Sequence, residues 1–90
     1  MDLVKTAGDQ KLPFVTGLDF LSDGRVVAVD NHNRKCIVLS ATLARLGSGY
    51  QFQYKPQDVT CFNGDNLAVT FGFVFYQTVV FTVKALNLMI

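Results

Sequence analysis

Two stretches of this chain follow the same order of apolar runs and turn residues, about 41 residues apart. Corresponding segments are 17–20 with 58–61, 26–29 with 67–70 and, after one inserted residue, 36–39 with 78–81. Few residues are identical, but the apolar pattern and the turn positions recur. A period of about 40–45 residues that contains several short strands is typical of radially stacked sheets, whereas ankyrin and leucine-rich repeats are shorter.

Within the repeats, the apolar runs are separated by residues that favour tight turns. The pairs Asp23-Gly24 and Asn63-Gly64 are typical of hairpin turns, and residues 25–30 read RVVAVD, a strong strand pattern. All seven acidic residues are Asp and none is Glu. Because Asp favours turns whereas Glu favours helix interiors, the chain is predicted to be all-β.

Residues 50–54 read YQFQY, in which aromatic and polar residues alternate. That period of two predicts a half-buried strand, preceded by a flexible connection at residues 47–49. The rings of Tyr50, Phe52 and Tyr54 are expected on one face of this edge strand. The alternative is that they stack on nucleobases.

Stacking explains why the central strands are apolar on both sides, as at residues 25–29 and 67–70. A single four-stranded sheet cannot bury both of its faces, but sheets stacked around an axis cover one another. The predicted fold is therefore a partial β-propeller made of antiparallel four-stranded blades. The predicted boundaries are a leading segment at 1–15, a first blade at 16–56 and a second blade at 57–90, diverged or truncated after residue 72.

Residues 16–72 resemble NHL repeats, through TGLDFLSDGRVVAVDNHNRKCIVLS and, in part, DVTCFNGDNLAVTFG. An NHL blade has a D-G turn, a hydrophobic strand closing on D-x-x-N, and then a strand with a basic start. Here Asp23-Gly24 form the turn, Asp30 and Asn33 the D-x-x-N, and Lys35 begins the next strand. The second repeat lacks D-x-x-N after Gly72.

The first repeat also resembles the propeller end of invertebrate tripartite-motif-like proteins. The resemblance implies a scaffold that binds protein or RNA. It does not imply ubiquitin-ligase chemistry, because the zinc-binding segments of that family need several Cys and His residues, and this sequence has two Cys and one His.

The residue types that could support catalysis or metal binding are sparse. His32 and Cys36 offer two ligands, fewer than the four of a structural zinc site. Asp30 and Asn33 could contact a metal or sugar, as in propeller lactonases, or could bond nearby backbone groups in a turn. We expect the turn chemistry, and hence no catalytic residue, metal or cofactor. The alternatives are a fragment of a lactonase-like hydrolase, and a truncated product without its own activity.

Binding is expected at one rim of the blades, because loops carry binding in rigid scaffolds. Propeller geometry places the loop between the second and third strands beside the loop that enters the next blade. The candidate binding residues are Asn31, His32, Asn33, Arg34, Lys35, Lys55 and Gln57. The expected partner is a protein, with RNA as the alternative. A net charge of +1 argues against a broad nucleic-acid footprint.

The remaining expectations concern the thiols, the location and the apolar C-terminal part. Cys36 and Cys61 lie in apolar runs, which predicts that both thiols are buried and reduced. Reduced thiols and the lack of a signal-peptide pattern predict a cytoplasmic protein. Residues 71–90 raise the alternative of a membrane span, but their polar residues and lack of a helical stripe argue against it. Residues 71–81 carry four Phe, one Tyr and three Val without a charge, which predicts self-association or additional blades.

Overall fold

The computed structural model describes residues 11–72 and 77–82. Its seven strands are β1 (Val15–Phe20), β2 (Val26–Asp30), β3 (Lys35–Leu39), β4 (Arg45–Gln51), β5 (Pro56–Phe62), β6 (Asn66–Phe71) and β7 (Gln77–Thr82). They form two antiparallel sheets, one in the order β1-β2-β3-β4 and the other in the order β5-β6-β7. The described residues contain no helix, so the all-β prediction is confirmed.

Strand pairing repeats between the two sheets with the register that the sequence alignment requires. Gly17 faces Val29 across β1 and β2, and Asp58 faces Thr70 at the corresponding place across β5 and β6. An irregularity in register precedes each of these pairs. The third strands, β3 and β7, correspond after one inserted residue.

Both predicted hairpin turns are present. Gly24 has a φ of 92° between β1 and β2, and Asn63 and Gly64 have φ values of 45° and 81° between β5 and β6. Gly adopts positive φ freely, and Asn tolerates it better than most residues, which explains their place in these turns. In the first turn, the carboxylate of Asp23 accepts a hydrogen bond from the Arg25 backbone amide at 3.0 Å.

The predicted strand at residues 50–54 is wrong in its position. Strand β4 begins at Arg45, runs through the glycine-rich segment predicted as a flexible connection, and ends at Gln51. Its register with β3 shifts between Cys36 and Val38. A Cβ at Gly49 would lie 2.8 Å from the Cys36 carbonyl oxygen, so glycine is required where the two strands come this close.

The two sheets pack face to face around an apolar core that includes Val27 and Val29 of β2 and Leu67 and Val69 of β6. Strands β2 and β3 are buried at every position, which agrees with the prediction for residues 26–29, whereas Arg25 is half-buried. Strand β6, by contrast, is fully buried only at alternate positions, so one of its two sides is covered less completely. That side carries smaller and more polar side chains.

The sheets stack in the same orientation. Val27 and Val29 point at the second sheet. Their counterparts 41 positions later are Ala68 and Thr70, which alternate along β6 with its core residues. Ala68 and Thr70 therefore lie on the side of the second sheet that faces away from the first. This head-to-tail arrangement can in principle continue. Along the line where β1 meets β5, the Asp19 carboxylate accepts a hydrogen bond from the Cys61 amide at 2.7 Å.

Both cysteines are free, as predicted, with Cys36 buried and Cys61 only half-buried. Burial, helped by the neighbouring Cys61, raises the pKa of Cys36 to about 12. Burial raises the pKa of Cys61 to about 11. Within residues 11–72 and 77–82, no helix is long and apolar enough to cross a bilayer.

Of the phenylalanines in the predicted adhesive stretch 71–81, Phe71 is buried in the core between the sheets and Phe81 packs against that core. Residues 73–76 lie outside the described residues.

Candidate functional site: a basic groove at the loop edge

Alternate turns of the antiparallel sheets lie at the same edge, which brings loop 31–34 beside loop 52–55. The Phe52 amide donates to the Arg34 carbonyl at 2.7 Å, and the Gln51 side-chain amide donates to the Asn33 carbonyl at 2.9 Å. The two loops border an open groove of about 850 Å³, which we call the loop-edge groove. It is lined by Lys11, His32, Asn33, Arg34, Gln51, Phe52, Gln53, Tyr54 and Lys55.

Loop 31–34 is held by the carboxylate of Asp30, which is 0% exposed. One oxygen accepts from the Phe14 amide at 3.0 Å and the Asn33 amide at 3.3 Å, and the other accepts from Asn33 Nδ2 at 2.8 Å. These bonds are the turn chemistry that the D-x-x-N spacing predicts. They use the carboxylate internally, so it is not presented to a ligand.

Asn33 also fixes the segment that precedes β1. Its Oδ1 accepts from the Lys11 amide at 2.9 Å, and its Nδ2 donates to the Lys11 carbonyl at 2.8 Å. The side-chain amide therefore pairs with Lys11 much as a neighbouring strand would. As a result, the backbone from which the Lys11 side chain extends is held at one wall of the groove.

Arg34 adopts a left-handed backbone conformation, with a φ of 55°. A non-glycine residue pays roughly 1–2 kcal/mol for this conformation, because its Cβ approaches the following carbonyl oxygen. The exposed guanidinium donates from Nη1 to the Gln53 carbonyl at 3.4 Å, a long bond that reaches the opposite loop. Arg34 thus bridges the two loops through both its backbone and its side chain.

Exposed cationic side chains collect at the loop edge, whereas the opposite edge carries both signs of charge. Lys11, His32, Arg34 and Lys55 line the loop-edge groove, and no described carboxylate lines it. At the opposite edge, Arg25 pairs with Asp23 at 2.8 Å and approaches Asp65 at 3.9 Å. The backbone amide of Arg25 is the main cause of the lowered pKa of Asp23. The groove can therefore attract negative groups, because the Asp30 carboxylate at this edge is buried behind Asn33 and is already hydrogen-bonded.

The structure brings together some of the predicted site residues and not others. His32, Asn33, Arg34 and Lys55 line the groove, and Lys55 lies beside loop 31–34 as the rim prediction requires. The others predicted, Asn31, Lys35 and Gln57, do not line it.

Two of these three have other surroundings that explain their absence. Asn31 is buried and donates from Nδ2 to the Pro56 carbonyl at 2.8 Å, which links the two sheets. Lys35, in β3, is only 5% exposed, so a change at this position would perturb the sheet as well as the surface. Gln57 is half-buried in β5.

The sequence did not predict Lys11, Gln51 or Gln53 as site residues, because their position at the groove depends on which loops lie next to each other in the folded chain. For Lys11, the only signal was the D-x-x-N turn whose asparagine binds it.

Of the three rings for which base stacking is the alternative prediction, Tyr50 and Phe52 are engaged inside the protein. Phe52 packs edge-on against Tyr50 and Phe71, with centroid distances of 5.4 and 5.0 Å, and lies 5.6 Å from Phe81. Tyr54 remains 63% exposed at the groove. A single exposed tyrosine is a contact for a side chain or base rather than a stacking platform.

The described residues include no group of three or more His, Cys, Asp or Glu side chains arranged to hold a metal ion. Comparison of the chain with protein-family models, curated proteins and solved structures finds no match. The resemblance to NHL repeats therefore stays a prediction from the sequence motifs.

Proposed function

We propose that this chain is a binding scaffold, built of propeller-type blades, that engages a protein partner through the loop-edge groove. The observation that carries the proposal is the groove itself, which lies between two loops joined by hydrogen bonds and presents exposed side chains at one edge of a packed core. Its volume of about 850 Å³ falls within the range of ligand-binding clefts.

The propeller part of the proposal is supported by how the sheets stack. They repeat the same register, and they pack head to tail, so the side of the second sheet that carries Ala68 and Thr70 corresponds to the covered side of the first. Val80 on that side is 60% exposed. A further blade placed on this side would continue the arrangement. We propose that this blade comes either from a second copy of the chain, as in the expected self-association, or from additional blades.

A protein partner fits the groove better than RNA does. Non-specific binding of single-stranded nucleic acid relies on several aromatic side chains along a basic channel. In this groove Phe52 is engaged in the core, and the His32 ring packs against Phe14 at a centroid distance of 4.8 Å, which leaves Tyr54 as an exposed and unstacked ring. Amide side chains of Gln51, Gln53 and Asn33 supply the adaptable polar contacts that peptide recognition uses.

The test is selection of short random peptides on the folded protein, followed by affinity measurement on two matched variants. Tyr54 and Phe20 are almost equally exposed, at 63% and 62%, but only Tyr54 lines the groove. We expect Tyr54→Ala to weaken the selected peptides by about tenfold, as for an exposed anchor residue, and Phe20→Ala to leave them unchanged. Equal effects of the two variants, or a selection that yields no binder, would refute the proposal.

A further inference from the structure

We propose that the loop-edge groove selects acidic peptide segments, whose carboxylates are bound by Arg34, Lys55 and Lys11. The inference rests on the proposed function of the groove and adds the chemistry of its ligand. Three exposed cationic side chains and His32 converge on the groove, and no described carboxylate lines it. An acidic ligand would complete this arrangement, whereas a basic one would be repelled.

The position of Arg34 strengthens the argument. The left-handed turn at this position favours glycine, yet it carries the residue with the largest cationic head group. Leu43 and Asn63 also have positive φ and do not line the groove, so the guanidinium of Arg34, rather than its backbone conformation, marks the site. The guanidinium is a planar fork that matches a carboxylate with two parallel hydrogen bonds.

The walls of the groove are fixed before any ligand binds, which favours affinity. Asn33 holds the Lys11 backbone through two hydrogen bonds, and the Phe52 amide ties loop 52–55 to Arg34. The cations on each side are therefore presented from ordered backbone, and binding need not order the loops. Only the long side chains must be immobilised.

Leu43 provides a matched control for Arg34. It also has a positive φ, 67°, in the turn between β3 and β4, and it does not line the groove. Replacing either residue by glycine relieves the same kind of backbone strain. Only the replacement of Arg34 removes a cation from the proposed site, so the pair separates charge from backbone effects.

The experiment measures fluorescence anisotropy of labelled hexa-aspartate, with labelled hexa-asparagine as the neutral control and a uridine hexanucleotide as the nucleic-acid control. We expect hexa-aspartate to bind at least about tenfold tighter than hexa-asparagine at low salt and to weaken as salt shortens the range of electrostatic attraction. Arg34→Gly should weaken it about fivefold, as for the loss of one ion pair. Leu43→Gly should have no effect.

Two further variants guard against loss of folding. Arg34→Lys keeps a cation, and we expect it to retain most of the binding. Lys11→Gln with Lys55→Gln leaves the turn intact and should weaken hexa-aspartate by about 25-fold if the two contributions are independent. Circular dichroism of each variant confirms that the sheets are retained.

Equal binding of hexa-aspartate and hexa-asparagine, or binding of hexa-aspartate that none of the charge variants changes, would overturn the acidic specificity. If neutral peptides still bind with sensitivity to Tyr54→Ala, the groove remains a peptide site and only the specificity proposed here fails. Tighter binding of the uridine hexanucleotide than of hexa-aspartate, with the same dependence on Arg34, would assign the groove to nucleic acid instead.

Discussion

Replacing Asp30 tests whether a single buried carboxylate organises the loop edge. The side chain accepts three hydrogen bonds, from the Phe14 amide, the Asn33 amide and Asn33 Nδ2. Asp30→Ala removes both acceptor oxygens, and with them all three hydrogen bonds, and leaves the donors in a largely buried position. A buried donor without a partner costs about 1–3 kcal/mol. The Phe14 amide is only partly buried, and the hydrogen bond from the Asn33 backbone amide is long, so the cost of losing each of these two bonds lies at the low end of that range. We therefore expect a loss of about 3–4 kcal/mol in the free energy of unfolding.

Asp30→Asn is the matched control, because it keeps the shape and one oxygen. That oxygen can still accept from the Phe14 and Asn33 amides, but the new side-chain amide faces the donor Nδ2 of Asn33. One hydrogen bond is lost rather than three, and we expect a loss of about 1–2 kcal/mol. The predicted order of stability is therefore wild type, then Asp30→Asn, then Asp30→Ala.

Urea denaturation followed by circular dichroism measures these differences, since the chain has no Trp. Hydrogen exchange at the Phe14 amide gives an independent local readout, because its protection depends on the Asp30 oxygen. If Asp30→Ala were within about 0.5 kcal/mol of wild type, a value typical of ordinary surface changes, the assignment of Asp30 as the organising residue would be wrong. Equal stability of the two variants would also contradict the reasoning.

The remaining predictions concern glycines and thiols. Gly49→Ala should destabilise by about 2–4 kcal/mol, because it adds a contact with the Cys36 carbonyl to an unfavourable φ of 87°. Gly64→Ala, with a φ of 81° and open space around it, should cost only about 1 kcal/mol; urea denaturation showing equal losses would contradict this comparison. The raised pKa values of Cys36 and Cys61 predict a decline in stability at high pH, since the unfolded thiols ionise with the ordinary thiol pKa of 9.0 whereas the folded ones stay protonated. This contribution is fully present below about pH 9 and is lost as the pH rises towards about 12, by up to about 1.4 kcal/mol per pH unit for the buried thiol. Cys36→Val should reduce the decline between about pH 9 and pH 11 in the same denaturation assay, and an identical decline in the variant would argue against burial as its cause.

Much of the fold could be predicted from the sequence because the decisive signals are local. Asp23-Gly24 and Asn63-Gly64 specify hairpins through the conformational freedom of glycine and the side-chain bonding of Asp and Asn. Asp30 determines its own turn, because its partner Asn33 is three residues away. The repeat can be predicted because the same pattern of apolar runs and turn residues occurs twice, and this pattern can be recognised without knowing how the two sheets pack.

The burial of the second strand of each repeat could not be predicted from local signals. Residues 26–29 and 67–70 are both apolar enough for a buried central strand, yet only the first is buried on both faces. Which face is covered depends on the neighbour that packs against it. The bounds of β4 are similar, because its pairing with β3 from Arg45 to Gln51, rather than the alternation at 50–54, defines the strand.

The loop-edge groove is the clearest case of a feature that only the tertiary structure decides. The sequence by itself marked loop 31–34 and Lys55 as candidate binding residues, since polar and charged residues at turns are exposed. It could not place Lys11 there, because the hydrogen bonds from Asn33 span 22 residues. Nor could it separate the exposed Arg34 from the buried Lys35 next to it. That difference arises because Arg34 ends the turn in a left-handed conformation whereas Lys35 begins a strand in the middle of a packed sheet, and such a distinction exists only once the sheets have assembled.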